Sequence, residues 1–230
     1  MISVVIPTLN EARSLPPLLA TLSNEPAEHE IIIVDGGSSD ATVDVALASG
    51  AIVLRVALPG RGAALRAGAQ RARGDVLFFL HADSTFPAGG LRRIEEILSD
   101  DPDLIGGNFR VVFDAETWFS RWLTHCYSRV RRLGFYYGDS GIFVRRNVYE
   151  PLGGFRPIAL MEDLDFVRRL ERAGKTCCIE EPVLIICSRR FDGRWPAAII
   201  FDWVKLHVLF WLGGSPDRLA EIYRTRAPYA

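Results

Sequence analysis

The chain has 230 residues, of which 49% are hydrophobic and 24% are charged, and its formal net charge is −1. This length is enough for one sizeable α/β domain with a full core, and the composition is that of an ordinary globular protein. The near-neutral charge gives no reason to expect a nucleic-acid partner.

The four cysteines form no C-x-x-C pair, so we interpret them as reduced thiols and predict a cytoplasmic location. The amino-terminal stretch MISVVIPTLN is not a signal peptide, because it has no basic region and enters a strand at once. Residues 197–214 are largely apolar, but Asp202, Lys205 and His207 interrupt them. We therefore predict a peripheral helix that packs on the core or lies on the cytoplasmic face of a membrane, and not a membrane span.

Strand and helix patterns alternate through the first half of the chain. The predicted strands are ISVVIP, EIIIVD, AIVLRV and VLFFL. The predicted helices between them are SLPPLLATL, ATVDVALAS and AALRAGAQRAR. Repeated β-α units of this kind predict an α/β fold in which helices cover both faces of a parallel sheet.

The pattern becomes less regular beyond about residue 104. The predicted elements are a long strand LIGGNFRVVF, an amphipathic helix WFSRWLTHCYSRVRRL, a strand in GDSGIFVRR, a helix EDLDFVRRLERAG and one or two strands in IEEPVLIIC. No repeat or low-complexity linker divides the chain. We predict a single domain over residues 1–195, with halves of about 1–103 and 104–195, followed by a helical tail over residues 196–230.

Polar residues follow the apolar strands, where ligands bind in open parallel sheets. Asp35 ends the second strand and precedes glycines that let a backbone approach a ligand closely; as an alternative, DGGSSD is only a polar turn. Asp83 follows VLFFL in the motif HADS, and it can bind a divalent cation that bridges diphosphate oxygens. His81 in the same motif can be a ligand, a hydrogen-bonding group or a space-filling side chain.

Three further groups have both a functional and a structural interpretation. Arg61 lies between two glycines before a helix and suits an anion such as a diphosphate, or it is a solvated loop residue. Glu162 and Asp163 are adjacent, so we expect their side chains to diverge; Asp163 can cap the helix or face a cleft as a base. Arg189 and Arg190 suit an anion or belong to a solvated loop.

Five motifs in order resemble those of the family 2 glycosyltransferases, which have a GT-A fold with a Rossmann-like, mostly parallel sheet. They are VVIPTLNEARSLPPLL, IIIVDGGSSDAT, GRGAALRAGAQRARGDVLFFLHADS, GDSGIFVRR and EDLDFVRRLERAG, and they cover roughly residues 2 to 195. The chain looks most like a small bacterial subgroup with an H-A-D-S/T motif, some members of which are named for arsenosugar biosynthesis and others as carotenoid-acid glycosyltransferases.

The resemblance implies a role for each matching position. Asp35 would contact the base or ribose of a nucleotide-diphosphate sugar, such as a UDP- or GDP-sugar, and Asp83 would hold Mn²⁺ or Mg²⁺ on the diphosphate. Asp163 would be the catalytic base, with Glu162 beside it. The remaining implied roles are nucleotide binding by Pro7, Thr8, Glu11 and Arg61, diphosphate contacts by Arg189 and Arg190, and a sugar or acceptor side formed by Gly138 and Asp139.

The implied reaction is an inverting transfer of a sugar to the hydroxyl of a small-molecule or lipid acceptor. His81 departs from the family's D-x-D motif, where the first aspartate would stand, and this leaves open a catalytically weak nucleotide-sugar-binding module. A nucleotidyltransferase on a similar sheet is the other alternative. It needs a basic, glycine-rich loop after the first strand, whereas PTLNEARS has one arginine and no glycine.

Overall fold

Seven strands form one sheet in the computed structural model, which describes residues 1–56 and 60–226, with the backbone alone at Arg190 and residues 224–226. Their order across the sheet is β3-β2-β1-β4-β6-β5-β7. The strands are β1 (Ile2–Thr8), β2 (His29–Asp35), β3 (Ile52–Arg55), β4 (Val76–Phe79), β5 (Leu104–Phe113), β6 (Ile142–Arg145) and β7 (Lys175–Ile186).

The sheet is mostly parallel, as predicted. Strands β1 to β4 pair in parallel, and β5 pairs in parallel with β7. Strand β6 is inserted antiparallel between β4 and β5. Because β6 runs against β4, the residues that precede β6 lie at the same edge of the sheet as the residues that follow β4.

Helices cover both faces of this sheet, which confirms the predicted α/β class. They are α1 (Leu15–Ser23), α2 (Thr42–Ala48), α3 (Arg61–Arg71), α4 (Gly90–Asp100), α5 (Trp118–Arg131), α6 (Arg146–Tyr149), α7 (Glu162–Ala173), α8 (Pro196–Trp211) and α9 (Pro216–Arg226). Alternation along β1 supplies both cores: Val4 and Ile6 pack with α1, α4 and α5, whereas Val5 packs with α3 and α7.

The carboxyl-terminal helices pack against this domain. Ile199 and Leu206 of α8 are buried, and Leu219 of α9 is buried in the same small apolar cluster as Leu206. In the described part of the chain, we find no helix long and apolar enough to cross a membrane. The predicted apolar face of α8 is found in part, because Trp203 and Leu206 pack inward whereas Trp211 is 49% exposed.

One of the roles considered for Asp163 is excluded. Asp163 is not the N-cap residue, because helix α7 begins at Glu162 and the N-cap position is Met161, whose φ is 65°. Asp163 is thus the second residue of the helix, and its Oδ1 accepts a hydrogen bond from the Leu164 N–H at 2.7 Å. The predicted end of this helix at Gly174 is confirmed.

Candidate active site

The polar ends of three strands meet at one edge of the sheet. Thr8 at the end of β1 is paired in register with Asp35 at the end of β2. Asp83 lies four residues beyond the end of β4, which pairs with β1 on the other side. We call Thr8, Asp35 and Asp83 the strand-tip edge. It is where a ligand of an open parallel sheet binds.

Asp35 is tied to the loop that follows it. Its side chain is 1% exposed, and its Oδ2 accepts hydrogen bonds from the Gly37 and Ser38 N–H groups, both at 3.1 Å. Its Oδ1 accepts from the Ser38 hydroxyl at 2.5 Å. A Cβ added at Gly37 would meet no atom within 4 Å. The carboxylate therefore shapes this loop, and open space lies beside Gly37, while the contact of Asp35 with a nucleoside stays a prediction.

The loop that carries His81 and Asp83 is held on both sides. The Leu80 N–H donates to the Val5 carbonyl at 3.1 Å, and Thr85 forms an isolated bridge with Ile185 next to the end of β7. Asp83 is half-buried in this short connection. Because both ends of the loop are anchored to strands, the Asp83 backbone is placed by the sheet and not by the loop alone.

Charged groups from three segments lie near Asp83. Burial raises the pKa of Glu11, a hydrogen bond from Ser14 opposes this rise, and the negative charge of Asp83 adds to it. The charge of Arg189 lowers the pKa of the same carboxyl. Asp83 and Arg189 are therefore each close enough to Glu11 to influence it electrostatically. The side chain of Arg190, predicted beside them, lies outside the described residues.

Asp83 is not part of a preformed cluster of metal-ligating side chains in the described part of the chain. Within residues 1–56 and 60–226 there is no group of three or more histidine, cysteine, aspartate or glutamate side chains arranged to hold a metal ion. A divalent cation such as Mg²⁺ commonly uses one or two protein carboxylates and completes its shell with phosphate oxygens and water. The half-buried, anchored Asp83 suits that kind of site, in which a bound diphosphate supplies most of the ligands.

Two glycines set the position of Arg61 at the start of α3. Gly60 precedes the helix with a φ of 91°, which favours glycine. A Cβ at Gly62 would lie 2.4 Å from the Arg156 carbonyl oxygen and 3.0 Å from Cβ of Glu162, so only glycine lets α3 approach α7 this closely. Arg61 is thereby brought beside the first turn of α7.

The Arg61 guanidinium bridges the two adjacent carboxylates, which corrects the expectation that their side chains diverge. Its Nε donates to Oε1 of Glu162, and its Nη2 lies 3.3 Å from Oδ2 of Asp163. The resemblance implied that Arg61 lies near a nucleotide or its phosphates; its side chain contacts these carboxylates and His81. Burial lowers the pKa of Arg61, yet the charges of Glu162 and Asp163 outweigh it and raise that pKa.

His81 meets the same guanidinium. The distance between Nη1 of Arg61 and Nε2 of His81 is 3.2 Å. A guanidinium can only donate, so Nε2 accepts this hydrogen bond and the ring proton is on Nδ1. In this arrangement the Nε2 lone pair of His81 faces Arg61. Asp83 is therefore the residue of the HADS motif that suits a metal ion.

Asp163 is buried but retains capacity to accept a proton. Its Oδ2 accepts hydrogen bonds from the Gly138 N–H at 2.8 Å and from Arg61, and its Oδ1 accepts from Leu164. A carboxylate has about four lone-pair sites, so these three donors leave one on Oδ1. Glu162 is 1% exposed, and burial raises its pKa although Arg61 opposes the rise.

A cavity of about 220 Å³ lies between α5 and α8 and reaches Asp163. The polar residues of its lining include Arg61, His81, Tyr127, Tyr137, Asp139, Asp163, His207 and Tyr223. Gly138, which precedes Asp139, is tightly packed, since a Cβ there would lie 3.2 Å from Oδ2 of Asp163. The cavity thus brings together the predicted base and Asp139, one of the two residues predicted for the acceptor side, and Gly138 contacts Asp163 through its N–H.

Tyr137 and His207 are functional candidates that sequence reasoning missed. Nδ1 of His207 lies 2.7 Å from the Trp203 carbonyl oxygen and donates to it, so Nε2 accepts from the Tyr137 hydroxyl at 3.1 Å. Burial, followed by the charges of Asp163 and Asp139, raises the pKa of Tyr137 to about 12. The only sequence signal for His207 was that it interrupts an apolar run; nothing in the pattern placed α8 beside the cavity.

Tyr127 is the second tyrosine of the cavity that the sequence did not single out. Its hydroxyl lies 3.1 Å from Oδ2 of Asp139, which is 7% exposed. Together with Tyr137, it places hydroxyl groups in the cavity near Asp139 and Asp163. Such a lining suits a polar molecule with hydroxyl groups more than a fully apolar one.

The chain matches the family described as "Glycosyl transferase family 2" over residues 3–153. The chain belongs to this family. It is 30% identical over 206 residues to the PGL/p-HBAD biosynthesis glycosyltransferase of Mycobacterium bovis BCG, covering 80% of this chain and 72% of that one. An uncharacterized glycosyltransferase of Mycobacterium bovis is 37% identical over 111 residues, and this chain spans only 50% of its length.

A third relative and two solved structures extend the comparison. An undecaprenyl-phosphate 4-deoxy-4-formamido-L-arabinose transferase of Serratia proteamaculans is 35% identical over 116 residues, with coverage of 46% of this chain and 36% of that protein. TarS of S. aureus in complex with UDP-GlcNAc has a TM-score of 0.69 at 14% identity, covering 86% of this chain and 60% of that one. The mannosyltransferase PcManGT of Pyrobaculum calidifontis, in complex with GDP-Man and Mn²⁺, has a TM-score of 0.66 at 18% identity, with coverage of 84% and 57%. The fold of this family member is therefore of the GT-A type.

Proposed function

We propose that this protein transfers a sugar from a nucleotide-diphosphate sugar to an acceptor hydroxyl, with inversion at the anomeric carbon. Family membership supports transfer of a glycosyl group. The fold is shared with proteins that bind UDP-GlcNAc or GDP-Man, which supports a UDP- or GDP-sugar as the donor. Family membership also argues against the nucleotidyltransferase alternative.

One observation carries the proposal: the Asp163 carboxylate lines a cavity and is held by three donors that leave one lone pair available. A general base must lie within hydrogen-bond reach of the proton that it removes. An acceptor hydroxyl in the cavity satisfies this requirement.

The transfer is one displacement. Asp163 takes the proton of the acceptor hydroxyl while that oxygen forms a bond to the anomeric carbon of the donor sugar. The bond between this carbon and the diphosphate oxygen breaks, and its electron pair leaves with the nucleoside diphosphate. No covalent sugar–enzyme intermediate is required, and the product has the opposite anomeric configuration.

The strand-tip edge would bind the donor. Asp83 would hold Mn²⁺ or Mg²⁺ together with diphosphate oxygens, and such an ion supplies positive charge beside the leaving group. Arg189 and Arg190 would contact the diphosphate, and Glu11 would lie beside the nucleotide. The nucleoside would lie in the open space before Gly37, between the Asp35 loop and the backbone of Pro7 and Thr8.

Replacement of Asp163 by asparagine tests the proposal. Asn keeps the size of the side chain and accepts the Gly138 hydrogen bond, but it cannot take a proton at neutral pH. Turnover of a panel of UDP- and GDP-sugars with Mn²⁺ should fall by about 10²–10⁴-fold in Asp163→Asn, while UDP or GDP binding by calorimetry stays near native.

Asp165→Asn is the matched control for this experiment. It removes the same charge from the first turn of α7, but Asp165 pairs with Arg156 and Arg169 away from the cavity. Its turnover should stay near native. If Asp163→Asn also keeps native turnover, the base lies elsewhere and Asp139 becomes the next candidate. A donor-binding native protein that turns over no sugar would favour a binding module.

A further inference from the structure

Exposed apolar side chains are concentrated in the second half of the chain. Among the residues that the structure describes, nine of the eleven large apolar side chains that are exposed lie between Trp118 and Leu212. The other two, Leu9 and Leu47, belong to the first half of the chain. Isolated exposed apolar residues are normal on a soluble domain, whereas a concentration of them marks an interaction surface.

The outward face of α8 forms one such stripe. The exposed residues Ala197, Phe201, Val204, Val208 and Leu212 recur at spacings of three or four, which places them along one side of the helix. The opposite side packs on the domain through Ile199 and Leu206, so α8 is apolar on both sides. A helix on the surface of a globular protein ordinarily presents polar residues outward.

The outward face of α5 is aromatic and basic. Trp118, Arg121, Trp122, His125 and Arg129 are exposed on this helix. The sequence contains no aspartate or glutamate between Thr117 and Gly138. Tryptophan and arginine on one helix face are typical of helices that lie in the interfacial layer of a membrane, where the ring is partly buried and the charge meets lipid headgroups.

These two faces meet at the cavity. Trp122 of α5 and Val204 of α8 line the cavity and are also 41% and 55% exposed. The exposed apolar surface is therefore continuous with the cavity that reaches Asp163. A molecule with an apolar tail along α5 and α8 can present its polar end to the carboxylates inside.

We propose that the outward faces of α5 and α8 dock on an anionic lipid bilayer, and that the acceptor is an amphiphilic lipid whose hydroxyl group enters the cavity from that surface. The statement about the acceptor rests on the proposed function, whereas the docking does not. A second copy of the chain fits this surface less well, because a two-fold contact through α5 sets its arginines against those of the partner.

Vesicle sedimentation tests the docking independently of catalysis. The native protein should bind vesicles of equal parts phosphatidylglycerol and phosphatidylcholine, and bind pure phosphatidylcholine less tightly. The double variant Phe201→Glu/Val208→Glu should lose at least about tenfold in binding, since it places two charges in the apolar stripe. Leu47→Glu is the matched control: Leu47 is 58% exposed but lies on α2, so binding should be unchanged.

The arginines of α5 provide a second test of the docking. Arg121→Gln/Arg129→Gln should lower binding to the anionic vesicles by about fivefold per arginine, with little effect on the neutral vesicles. Absence of native binding, or an equal loss in Leu47→Glu and the double variant, would overturn the proposal. A concentration-dependent native dimer in light scattering that the α8 double variant abolishes would also overturn it and assign the surface to a second copy.

Donor hydrolysis without vesicles separates the two proposals. Phe201 and Val208 are not part of the cavity lining, so the double variant should hydrolyse the donor as the native protein does. Vesicle binding without any donor hydrolysis would leave the docking intact and contradict the proposed function. Donor hydrolysis without vesicle binding would leave the proposed function intact and contradict the docking.

Discussion

The strand-tip edge and the cavity are built in different ways, although they lie at the same edge of one sheet. Asp35 is held by Gly37 and Ser38, which are two and three residues further along the chain. Asp163, in contrast, is held by Arg61 and Gly138, which are 102 and 25 residues away. The Asp35 carboxylate is held by hydrogen bonds from the loop that follows it, whereas the Asp163 carboxylate depends on the packing of α3 against α7 and on the segment that carries Gly138.

This difference predicts how each region responds to change. A substitution at the strand-tip edge should affect its own loop and the ligand that binds there. A substitution in the cavity should also disturb the contact between helices that are distant in sequence. Substitutions in the cavity are therefore expected to lower stability most. Substitutions at the strand-tip edge are expected to change nucleotide binding.

Removal of Arg61 should have the largest effect. Arg61→Ala leaves Glu162 and Asp163 buried without their shared cation, which should lower the free energy of unfolding by about 1–3 kcal/mol. This is below the cost for a fully buried pair, because the Arg61 side chain is 37% exposed and water screens it. Turnover should be lost as well. Thermal and urea melts measure the first effect, with Arg66→Ala on the exposed face of α3 as the control.

The loss of stability in Arg61→Ala should depend on pH. Burial raises the pKa of Glu162, so the folded state binds this proton more readily than the unfolded chain, and this contribution favours the fold as pH falls. Without Arg61 the Glu162 pKa should rise further. The stability difference between Arg61→Ala and the native protein should therefore narrow from about pH 8 to about pH 5. A stability difference that does not change with pH would contradict the contact between Arg61 and Glu162.

Asp35→Ala should have the next largest effect, and it should be local. The Gly37 and Ser38 N–H groups lose their acceptor, which should cost about 1–2 kcal/mol of stability. Binding of free UDP or GDP should weaken as much as binding of the sugar nucleotide, as calorimetry can measure. Asp44→Ala on α2 is the control, because Asp44 is exposed. Loss of sugar-nucleotide binding alone would place the nucleoside elsewhere.

Asp83→Ala should leave stability near native and change only the response to metal. Mn²⁺ should strengthen UDP or GDP binding to the native protein and should do so about tenfold less in the variant, since one carboxylate ligand is missing. Asp75→Ala is the control, because Asp75 is exposed at the other end of β4. Equal enhancement by Mn²⁺ in native protein and Asp83→Ala would contradict a metal role.

Gly138→Ala should have the smallest effect and should act on turnover. The added methyl group would lie 3.2 Å from Oδ2 of Asp163 and 3.3 Å from Nε2 of His81, so both must move by a few tenths of an ångström. Turnover should fall by about tenfold or less, with nucleotide binding unchanged. Gly36→Ala at the strand-tip edge makes only an ordinary 3.5 Å contact and should keep turnover near native. Equal losses in both variants would remove the distinction between the two regions.

The sequence patterns predicted the elements well because their signals are local. Alternating apolar residues and apolar runs identified the strands, and the order of β-α units predicted a mostly parallel sheet. The positions of Asp35 and Asp83 at strand ends followed from the same pattern. The sequence left open whether Asp163 is an N-cap or a base, because an acidic residue near a helix start is compatible with several first-turn positions; the structure excludes the N-cap.

By itself, the sequence determined the family, the α/β class and the edge of the sheet at which the polar residues gather. These depend on periodicities of two to four residues and on the order of elements along the chain. Only the tertiary structure decided that Arg61 joins Glu162 and Asp163, and that Tyr137 meets His207 of α8. Such contacts join residues 70 to 102 positions apart, and they depend on how helices pack across the sheet, which no local pattern encodes.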